Sequence, residues 1–357
     1  MTLESRIELI ADKVRSWLES LDSSLQEAAE KTVKEDYFNQ SDVIYAIQCL
    51  RQSVTLDKLK KWAQKGKVKD HGKNPQKVLC LHAGNLPLVG FQDALAALIS
   101  GHHYFGKISR KDPYLLPDFL SRFEDTPLYA KMQWNTTLNH FQDLNADAVT
   151  FSGSESSIPS VMQAIKEHNI AKANARYLIR KAHFSIAYFD AFNDVNSKNL
   201  VNAILRYDGK GCRSVAIVVS LVKLTQIRCS FTDYFEAFWM HHPTYRKPTP
   251  KITYRSAYDK AVGKTHMLLE HLIIEEADDP KLDEDHIIYW VEGDVQKMIE
   301  LANKYGDQVQ NVYVPSMSIP VEGYEDRKAP LSEAQCPPID WKPDGMDILG
   351  WLDELGE

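Results

Sequence analysis

The alternation of short apolar runs with amphipathic segments, which begins at residue 77, most constrains how this chain can fold. Runs that are apolar on both faces are typical of parallel strands covered by helices, whereas helices show apolar residues three and four apart. The first half predicts strands over residues 77–83, 103–108 and 147–151, with helices over 88–100, 113–123 and 156–166. This alternation predicts βαβ units and a parallel sheet.

The pattern continues after residue 193, and a different pattern precedes residue 77. The second half predicts helices over 193–206, 231–239 and 295–305, and strands over 214–221, 286–291 and 309–314. The N-terminal part shows helical spacing, with further helices capped by Ser41 and Thr55. We therefore predict four parts: a helical segment and linker (1–76, with the linker over 64–76), two α/β domains (77–205 and 206–315), and a tail that packs back on the body (316–357).

Composition excludes several classes of function. A formal charge of −7 and a pI near 6.0 argue against a nucleic-acid-binding domain. No run is long and apolar enough for a membrane span, and the N-terminus lacks a signal-peptide core, so a cytoplasmic location is expected. The five cysteines are widely spaced and the twelve histidines form no HExxH pattern, so we expect no metal site.

Cys212 is the strongest candidate for a nucleophile. It lies in the stretch DGKGCRS (208–214), after a predicted helix and before a predicted buried strand. The neighbouring cations Lys210 and Arg213 would favour the thiolate, which is the reactive form of cysteine. Alternatively, Cys212 acts only as a small apolar residue in a loop. The residues of this stretch alone do not decide between the two interpretations.

The turns that follow the strands of the first half are the expected ligand sites, because ligands of parallel sheets bind at the carboxyl ends of strands. Asn85 follows the first strand and could donate to an oxyanion. Lys107 and Ser109 lie in a compact basic turn (KISRK) that suits phosphate or ribose groups. Taken alone, Asn85 fits an ordinary turn residue better than an oxyanion donor, whereas the basic turn fits a solvated run of charges as well as a ligand site.

Gly153 and Ser154 join the third predicted strand to a helix. The glycine allows a phosphate to approach the backbone, and the start of the following helix favours an anion. The chain contains neither a GxGxxG motif nor a P-loop motif, so this turn is not a standard dinucleotide fingerprint.

The order of these features along the chain resembles the aldehyde dehydrogenase superfamily. GNLPL (84–88), followed by a helix and GHHYFGKISRKDP (101–113), resembles the acyl-CoA reductase family, typified by the long-chain acyl-protein thioester reductase of bacterial luminescence (LuxC type). The resemblance covers about residues 77–315. It implies an aldehyde-dehydrogenase-like α/β fold with two parallel-sheet domains and a helical N-terminal segment, the first domain binding the nucleotide and the second carrying the nucleophile.

The resemblance also implies roles for individual residues. Cys212 would take the acyl group, and Asn85 would stabilise the oxyanion. The expected cofactor-binding residues are Lys107 and Ser109 at the adenosine ribose, Gly153 and Ser154 at the pyrophosphate, and Glu276, in EADDP (276–280), at the nicotinamide ribose.

Two departures from the superfamily pattern carry information. Arg110 stands where NAD-using members have a glutamate; an arginine pairs with a 2′-phosphate, so NADPH is the expected cofactor and NADH the alternative. The glutamate general base of the oxidising members has no counterpart in the stretch RKAHFS (180–185), which disfavours hydrolysis of an acyl-enzyme. His183 is either a substitute base or a packed core residue.

The expected function is therefore NADPH-dependent reduction of a fatty acyl thioester to an aldehyde through an acyl-enzyme on Cys212. The acyl donor would be acyl-CoA, an acyl carrier or an acyl-protein. The alternatives are an aldehyde dehydrogenase, either CoA-acylating or hydrolytic, and a non-catalytic nucleotide-binding relative. A homodimer is expected only from the resemblance.

Overall fold

The chain forms two α/β units, each built on its own sheet. The computed structural model describes residues 1–20, 23–69, 74–181, 183–242, 250–282 and 286–356. The first unit comprises Met1–Lys181 together with Pro337–Glu357, and the second comprises Ala182–Cys336. Part of the predicted linker, residues 70–73, lies outside the described residues.

The sheet of the first unit has five parallel strands in the order β3-β2-β1-β4-β5. The strands are β1 (Lys77–Leu81), β2 (His103–Lys107), β3 (Met132–Asn135), β4 (Ala146–Ser152) and β5 (Ala171–Arg180). Leu81, the last residue of β1, lies level with Lys107 on β2 and with Phe151 on β4. The turns that follow these three strands therefore leave the sheet at the same edge.

The first unit contains the following α-helices in addition to its sheet. They are α1 (Leu3–Leu18), α2 (Ser24–Lys34), α3 (Gln40–Ser53), α4 (Leu56–Lys65), α5 (Phe91–Ser100), α6 (Leu115–Ser121), α7 (Ile158–Glu167) and, near the C-terminus, α12 (Ile348–Asp353). Every residue of α5 is buried, as its apolar sequence requires. α12 packs on α5, and the His102 Nε2 donates to the Leu352 carbonyl (2.9 Å) beside it.

The sheet of the second unit has seven strands in the order β12-β11-β6-β7-β10-β9-β8. These are β6 (Phe184–Tyr188), β7 (Val215–Ser220), β8 (His266–Leu268), β9 (Ile273–Glu276), β10 (Ile287–Glu292), β11 (Val309–Val314) and β12 (Lys328–Pro330). All neighbours pair in parallel except β8 and β9. Its helices are α8 (Asp194–Leu205), α9 (Leu224–His241), α10 (Pro250–Ala261) and α11 (Val295–Tyr305).

The predicted architecture is confirmed, with differences at its boundaries. The N-terminal segment is helical, and Thr55 caps α4 by accepting from the Lys58 amide (3.4 Å), whereas Asn39 rather than Ser41 caps α3. The two units divide near residue 181, upstream of the predicted 205, because β6 pairs within the second sheet and α8 packs on β7 of that sheet. The tail is shared: β12 extends the second sheet, and the residues from Pro337 onward pack with the first unit.

Among the described residues, no helix combines the length and the apolar character that a membrane crossing requires.

Candidate active site

Two groups of predicted site residues lie at the carboxyl edge of the first sheet: the oxyanion donor Asn85 and the cofactor-binding residues of this unit. Asn85, in the turn after β1, is half-buried. Lys107 ends β2, with Ser109 two residues beyond it, and the exposed Gly153 and Ser154 follow β4. In the strand order, β1 is followed by β2 in one direction along the sheet, and β4 is followed by β5 in the other direction. The strand order therefore reverses between β1 and β4, and parallel sheets bind ligands at the carboxyl edge beside such a switch point.

The turns after β1 and β2 are in direct contact. A Cβ atom added at Gly84 would lie 1.8 Å from the Ser109 Oγ and 2.5 Å from the Ser109 Cβ. Only glycine therefore fits at position 84 while the two turns keep this approach. The Ser109 hydroxyl also accepts from the Lys111 amide (3.2 Å), which shapes the second turn.

This edge carries concentrated positive charge. Lys107 is half-buried, and its pKa is lowered by burial and by the nearby charge of Arg110. Arg110 itself is exposed. An anion bound here would offset the repulsion between the two cations, so the turn fits a phosphate-bearing ligand.

Buried polar groups that the sequence did not reveal form hydrogen bonds near the ends of β1 and β5, close to this edge. His82, directly after β1, shares a hydrogen bond of 2.7 Å with the Tyr104 hydroxyl, and burial lowers the His82 pKa to about 4. Arg180, at the end of β5, donates to Asp93 on α5 (2.8 Å) and contacts the Ser152 hydroxyl (3.4 Å). An acid within the otherwise apolar helix α5 was the one available signal for this ion pair.

The turn after β4 is open to solvent and leads into a helix. The Ser154 hydroxyl lies 3.1 Å from that of Ser156 and 3.2 Å from that of Ser157, and one 3₁₀ turn precedes α7. No side chain caps the first amides of α7. The position and exposure of Gly153 and Ser154 are thus compatible with contact to a pyrophosphate.

Cys212 lies in the second unit, in the turn that leads into β7. The thiol-bearing residue is half-buried. Upstream, Tyr207, Asp208 and Gly209 have φ angles of 57°, 55° and 66°, which is the left-handed region. Two consecutive non-glycine residues in this region are costly, and such strain persists only where the surroundings hold it.

Hydrogen bonds from β6 and from residue 335 hold the Cys212 turn. The buried Ser185 donates its hydroxyl to the Cys212 carbonyl (3.0 Å) and its amide to the Ser214 carbonyl (2.9 Å). The Gln335 Nε2 donates to the Ala203 carbonyl (3.0 Å) and contacts the Ser214 hydroxyl (3.3 Å). The backbone that carries the thiol is therefore fixed on both sides.

The cations predicted to activate Cys212 differ in their surroundings. Lys210 is exposed and pairs with Asp208 at 3.1 Å, so a neighbouring carboxylate offsets its charge. Arg213 is half-buried and directly adjacent to Cys212. Both cations thus lie within two residues of the thiol along the chain, Lys210 exposed and Arg213 half-buried.

Glu276 does not lie with Cys212. β9 runs parallel to β10 and β10 parallel to β7, so Glu276 at the end of β9 and Cys212 before the start of β7 occupy opposite edges of the sheet. Glu276 is level with Val218, three residues or about 10 Å beyond Val215, which itself follows Cys212. The predicted contact of Glu276 with the nicotinamide ribose rests on the resemblance of EADDP alone, and it stays a prediction.

The stretch 180–185 contains no carboxylate, and its histidine is not packed. His183 is exposed, and its backbone amide donates to the Gln308 carbonyl (2.9 Å). It precedes β6, the neighbour of β7, and so lies at the same sheet edge as Cys212. Residue 182 lies outside the described residues.

Across the described parts of the chain, no cluster of three or more His, Cys, Asp or Glu side chains could hold a metal ion.

Comparison with solved structures identifies the fold. Aldehyde dehydrogenase 21 from Physcomitrella patens, in complex with succinate, is 12% identical, with a TM-score of 0.60 over 88% of this chain and 73% of that one. An NAD-dependent benzaldehyde dehydrogenase from Corynebacterium glutamicum is 17% identical, with a TM-score of 0.57 over 88% and 76%. Betaine aldehyde dehydrogenase from Staphylococcus aureus, in complex with NAD⁺, is 15% identical, with a TM-score of 0.54 over 88% and 72%. The chain has the aldehyde dehydrogenase fold.

Sequence comparison identifies the family. No curated protein matches the chain. The pattern of the acyl-CoA reductase (LuxC) family matches residues 7–228, more than half of the 357 residues, and this range includes both candidate edges and Cys212. The chain therefore belongs to the LuxC acyl-CoA reductase family, a family of oxidoreductases.

Proposed function

We propose that this protein reduces a fatty acyl thioester to an aldehyde with NADPH, through an acyl-enzyme on Cys212. The observation that carries the proposal is the Cys212 turn, in which a half-buried thiol sits on a strained backbone that β6 holds in place. The protein's membership of the acyl-CoA reductase family supports the choice of a fatty acyl thioester as the substrate class.

The first chemical step is transfer of the acyl group. The Cys212 thiolate attacks the thioester carbonyl, the bond from that carbonyl carbon to the donor sulfur breaks, and the donor leaves as a thiolate that takes up a proton. The adjacent Arg213 favours the thiolate form of Cys212. The Cys212 backbone amide is the proposed first donor to the oxyanion, and Ser185 and Gln335 restrain the residues around it.

Asn85 is the proposed second donor to the oxyanion. It lies in a turn whose shape is set by the close contact of Gly84 with Ser109, so its amide requires little rearrangement during the reaction. The proposed role follows from this rigidity and from the family's GNLPL motif. The resulting hydrogen bond would strengthen as negative charge develops on the carbonyl oxygen.

The residues of the first carboxyl edge fit a phosphate-bearing nicotinamide cofactor. Burial and, secondarily, the charge of Arg110 lower the Lys107 pKa; a bound anion would relieve the repulsion between the two cations, and the exposed Arg110 is suited to a 2′-phosphate. Lys107 and Ser109 would hold the ribose, and Gly153 and Ser154 the pyrophosphate. When bound, the reduced cofactor supplies the hydride that converts the Cys212 thioester to the aldehyde, and a proton returns to the sulfur.

The lack of a carboxylate in the stretch 180–185 favours reduction over hydrolysis. Ser185, which occupies this stretch beside the Cys212 turn, donates its hydroxyl to a carbonyl and is not placed as a base for water. The acyl-enzyme would thus persist until hydride or a thiol reaches it.

A steady-state assay tests this proposal. The protein is mixed with acyl-CoA of graded chain length and NADPH, and NADPH oxidation, aldehyde and released thiol are quantified together. The proposal predicts equal amounts of all three. Carboxylic acid as the main product, or turnover only from aldehyde and NADP⁺ towards acyl-CoA, would contradict it.

A further inference from the structure

Asp112 is a buried carboxylate that the proposed mechanism does not use. It lies five residues after Lys107, in the KISRKDP stretch, and only 7% of its surface is exposed. A buried carboxylate is costly unless donors surround it. Its position between the turn after β2 and the start of α6 raises the question of what it holds.

The Asp112 carboxylate receives donors from three different segments. Its Oδ2 accepts from the Leu88 amide in the turn after β1 (2.9 Å). Its Oδ1 accepts from the Thr32 hydroxyl on α2 (3.3 Å) and from the Leu115 amide at the start of α6 (3.4 Å). Burial raises the Asp112 pKa, and these hydrogen bonds act in the opposite direction by stabilising the charged form.

The donor Leu88 has a strained backbone. Its φ is 57°, a left-handed conformation that costs a bulky residue about 1–2 kcal/mol. The side chain is buried and the Leu88 carbonyl accepts from the Phe91 amide (3.0 Å), which begins α5. Strain of this kind is maintained by neighbouring contacts, and the Asp112 carboxylate is a direct polar contact of the Leu88 amide.

Leu88 ends the stretch that contains Asn85, and Asp112 ends the stretch that contains Lys107 and Ser109. One carboxylate therefore joins the proposed oxyanion turn to the proposed ribose turn. The contact between Gly84 and Ser109 joins the same two turns a second time. Together these contacts form a two-point clamp between residues 84–88 and 107–112.

We propose that Asp112 is a positioning residue that locks the turn of Asn85 against the turn of Lys107 and Ser109. It acts through the backbone of Leu88 and touches neither substrate nor cofactor. This role rests on the proposed function, because the tasks of Asn85 and Lys107 are assigned there. Since one carboxylate supports both turns, its loss would disturb the chemical step and cofactor binding together.

Asp112→Asn is the sharpest variant because it keeps the size of the side chain. An amide has one acceptor oxygen, so its NH₂ group must face either the Leu88 amide or the Thr32 and Leu115 donors. Asp118→Asn is a matched control: Asp118 on α6 accepts from the Trp17 Nε1 (2.7 Å) and the Ser24 hydroxyl (3.4 Å), and contacts neither turn through these bonds. Thr32→Val removes the α2 contact alone.

The experiment measures kcat, the KM for NADPH and the melting temperature of all three variants. The kinetic measurements are made well below the lowest of these melting temperatures. Asp112→Asn should lower kcat about tenfold or more and raise the KM for NADPH several-fold, whereas both controls should stay within about twofold of the wild type. Asp112→Asn kinetics equal to those of Asp118→Asn would overturn the positioning role while leaving the proposed function intact. An inactive wild type would overturn the proposed function itself.

Hydrogen exchange of the wild-type protein provides a second test that does not depend on a variant's folding. The Leu88 amide should be protected about as strongly as the amides of α5, because a buried carboxylate accepts from it. Exchange at the rate of an exposed turn would overturn the proposal.

Discussion

The two candidate regions occupy opposite kinds of sheet edge. In the first unit, Asn85 and Gly153 follow strands, Lys107 ends one, and all three lie at the carboxyl edge. In the second unit, Cys212 precedes β7 and lies at the amino edge. The carboxyl edge is where parallel sheets generally bind ligands, so elementary topology predicts the first region, whereas the second depends on the chemistry of one thiol and the support of its turn.

Charge separates the two regions as well. At the first edge, burial and the nearby charge of Arg110 lower the Lys107 pKa, and a bound anion would offset the repulsion between these two cations. At the Cys212 turn, Asp208 offsets the charge of Lys210, and a serine hydroxyl rather than a carboxylate holds the backbone. In the proposed mechanism this difference corresponds to two tasks: the first edge binds the charged cofactor and the second presents the nucleophile.

Cys212→Ser has the largest expected effect on turnover, and this effect should leave cofactor binding by the first region unchanged. Cys212→Ser should abolish the acyl adduct and lower turnover by at least about 10³-fold, because a hydroxyl at this position is a far weaker nucleophile. NADPH affinity should stay within about twofold, since the first edge is unchanged. Cys229→Ser, at an exposed cysteine on α9, is the control. Loss of NADPH binding in Cys212→Ser would break the separation between the regions.

Asn85→Ala should give the next largest effect. Removing one oxyanion donor lowers kcat about 10²–10³-fold, so acylation and reduction should both slow while NADPH still binds. Rapid-mixing measurements of thiol release and NADPH oxidation report on the two steps. Asn174→Ala, at an exposed position on β5, serves as the control, and an unchanged kcat in Asn85→Ala would remove Asn85 from the chemistry.

Arg110→Ala tests the charge of the first edge. Loss of a charge-assisted contact to the 2′-phosphate should weaken NADPH binding about 10- to 100-fold and leave NADH binding nearly unchanged. Lys111→Ala removes a neighbouring exposed cation and controls for general electrostatics. Titration of both cofactors checks the prediction, and an equal loss for NADPH and NADH would argue against 2′-phosphate recognition.

A further prediction concerns stability and leaves the chemistry aside. Burial lowers the His82 pKa from 6.5 to about 4, so between these values the unfolded state binds a proton that the folded state does not. Stability should therefore fall by about 3 kcal/mol as pH drops from 6.5 to 4. His82→Gln should flatten this part of the stability profile in urea titrations.

His242 in the second unit provides the comparison for His82. Burial and the nearby Arg206 charge also lower the His242 pKa to about 4, but this residue is more exposed, so His242→Gln should flatten the profile less. A larger effect at His242 would reverse the expected order.

Sequence patterns predicted elements well where the buried residues are continuous, as in β11, or recur at helical spacing, as in α11. The strand expected over 309–314 and the helix over 295–305 match β11 and α11. β5 went unrecognised because its sequence, AKANARYLIR, is largely exposed in its first half and shows no apolar run. Only the second half of α9 was predicted, since the polar residues near its start hide the helical periodicity.

The candidate site divides in the same way. Turns at strand ends could be predicted because topology brings them to one edge. The supporting residues could not, since their partners are distant in the chain: Asp93 pairs with Arg180, and Asp112 with Thr32 and Leu88. For Glu276 the sequence supplied only the match of EADDP, and the register of β9 with β10 was needed to show at which end of the strand this residue lies.

Trapping of the acyl-enzyme tests the central claim most directly. The wild type is incubated with a long-chain acyl-CoA, its intact mass is recorded, and NADPH is then added. The account predicts a mass increase of one acyl group, absent in Cys212→Ser, retained in Cys229→Ser and discharged as aldehyde by NADPH. An adduct that persists in Cys212→Ser, or no adduct from either acyl-CoA or an acyl-carrier donor, would contradict it.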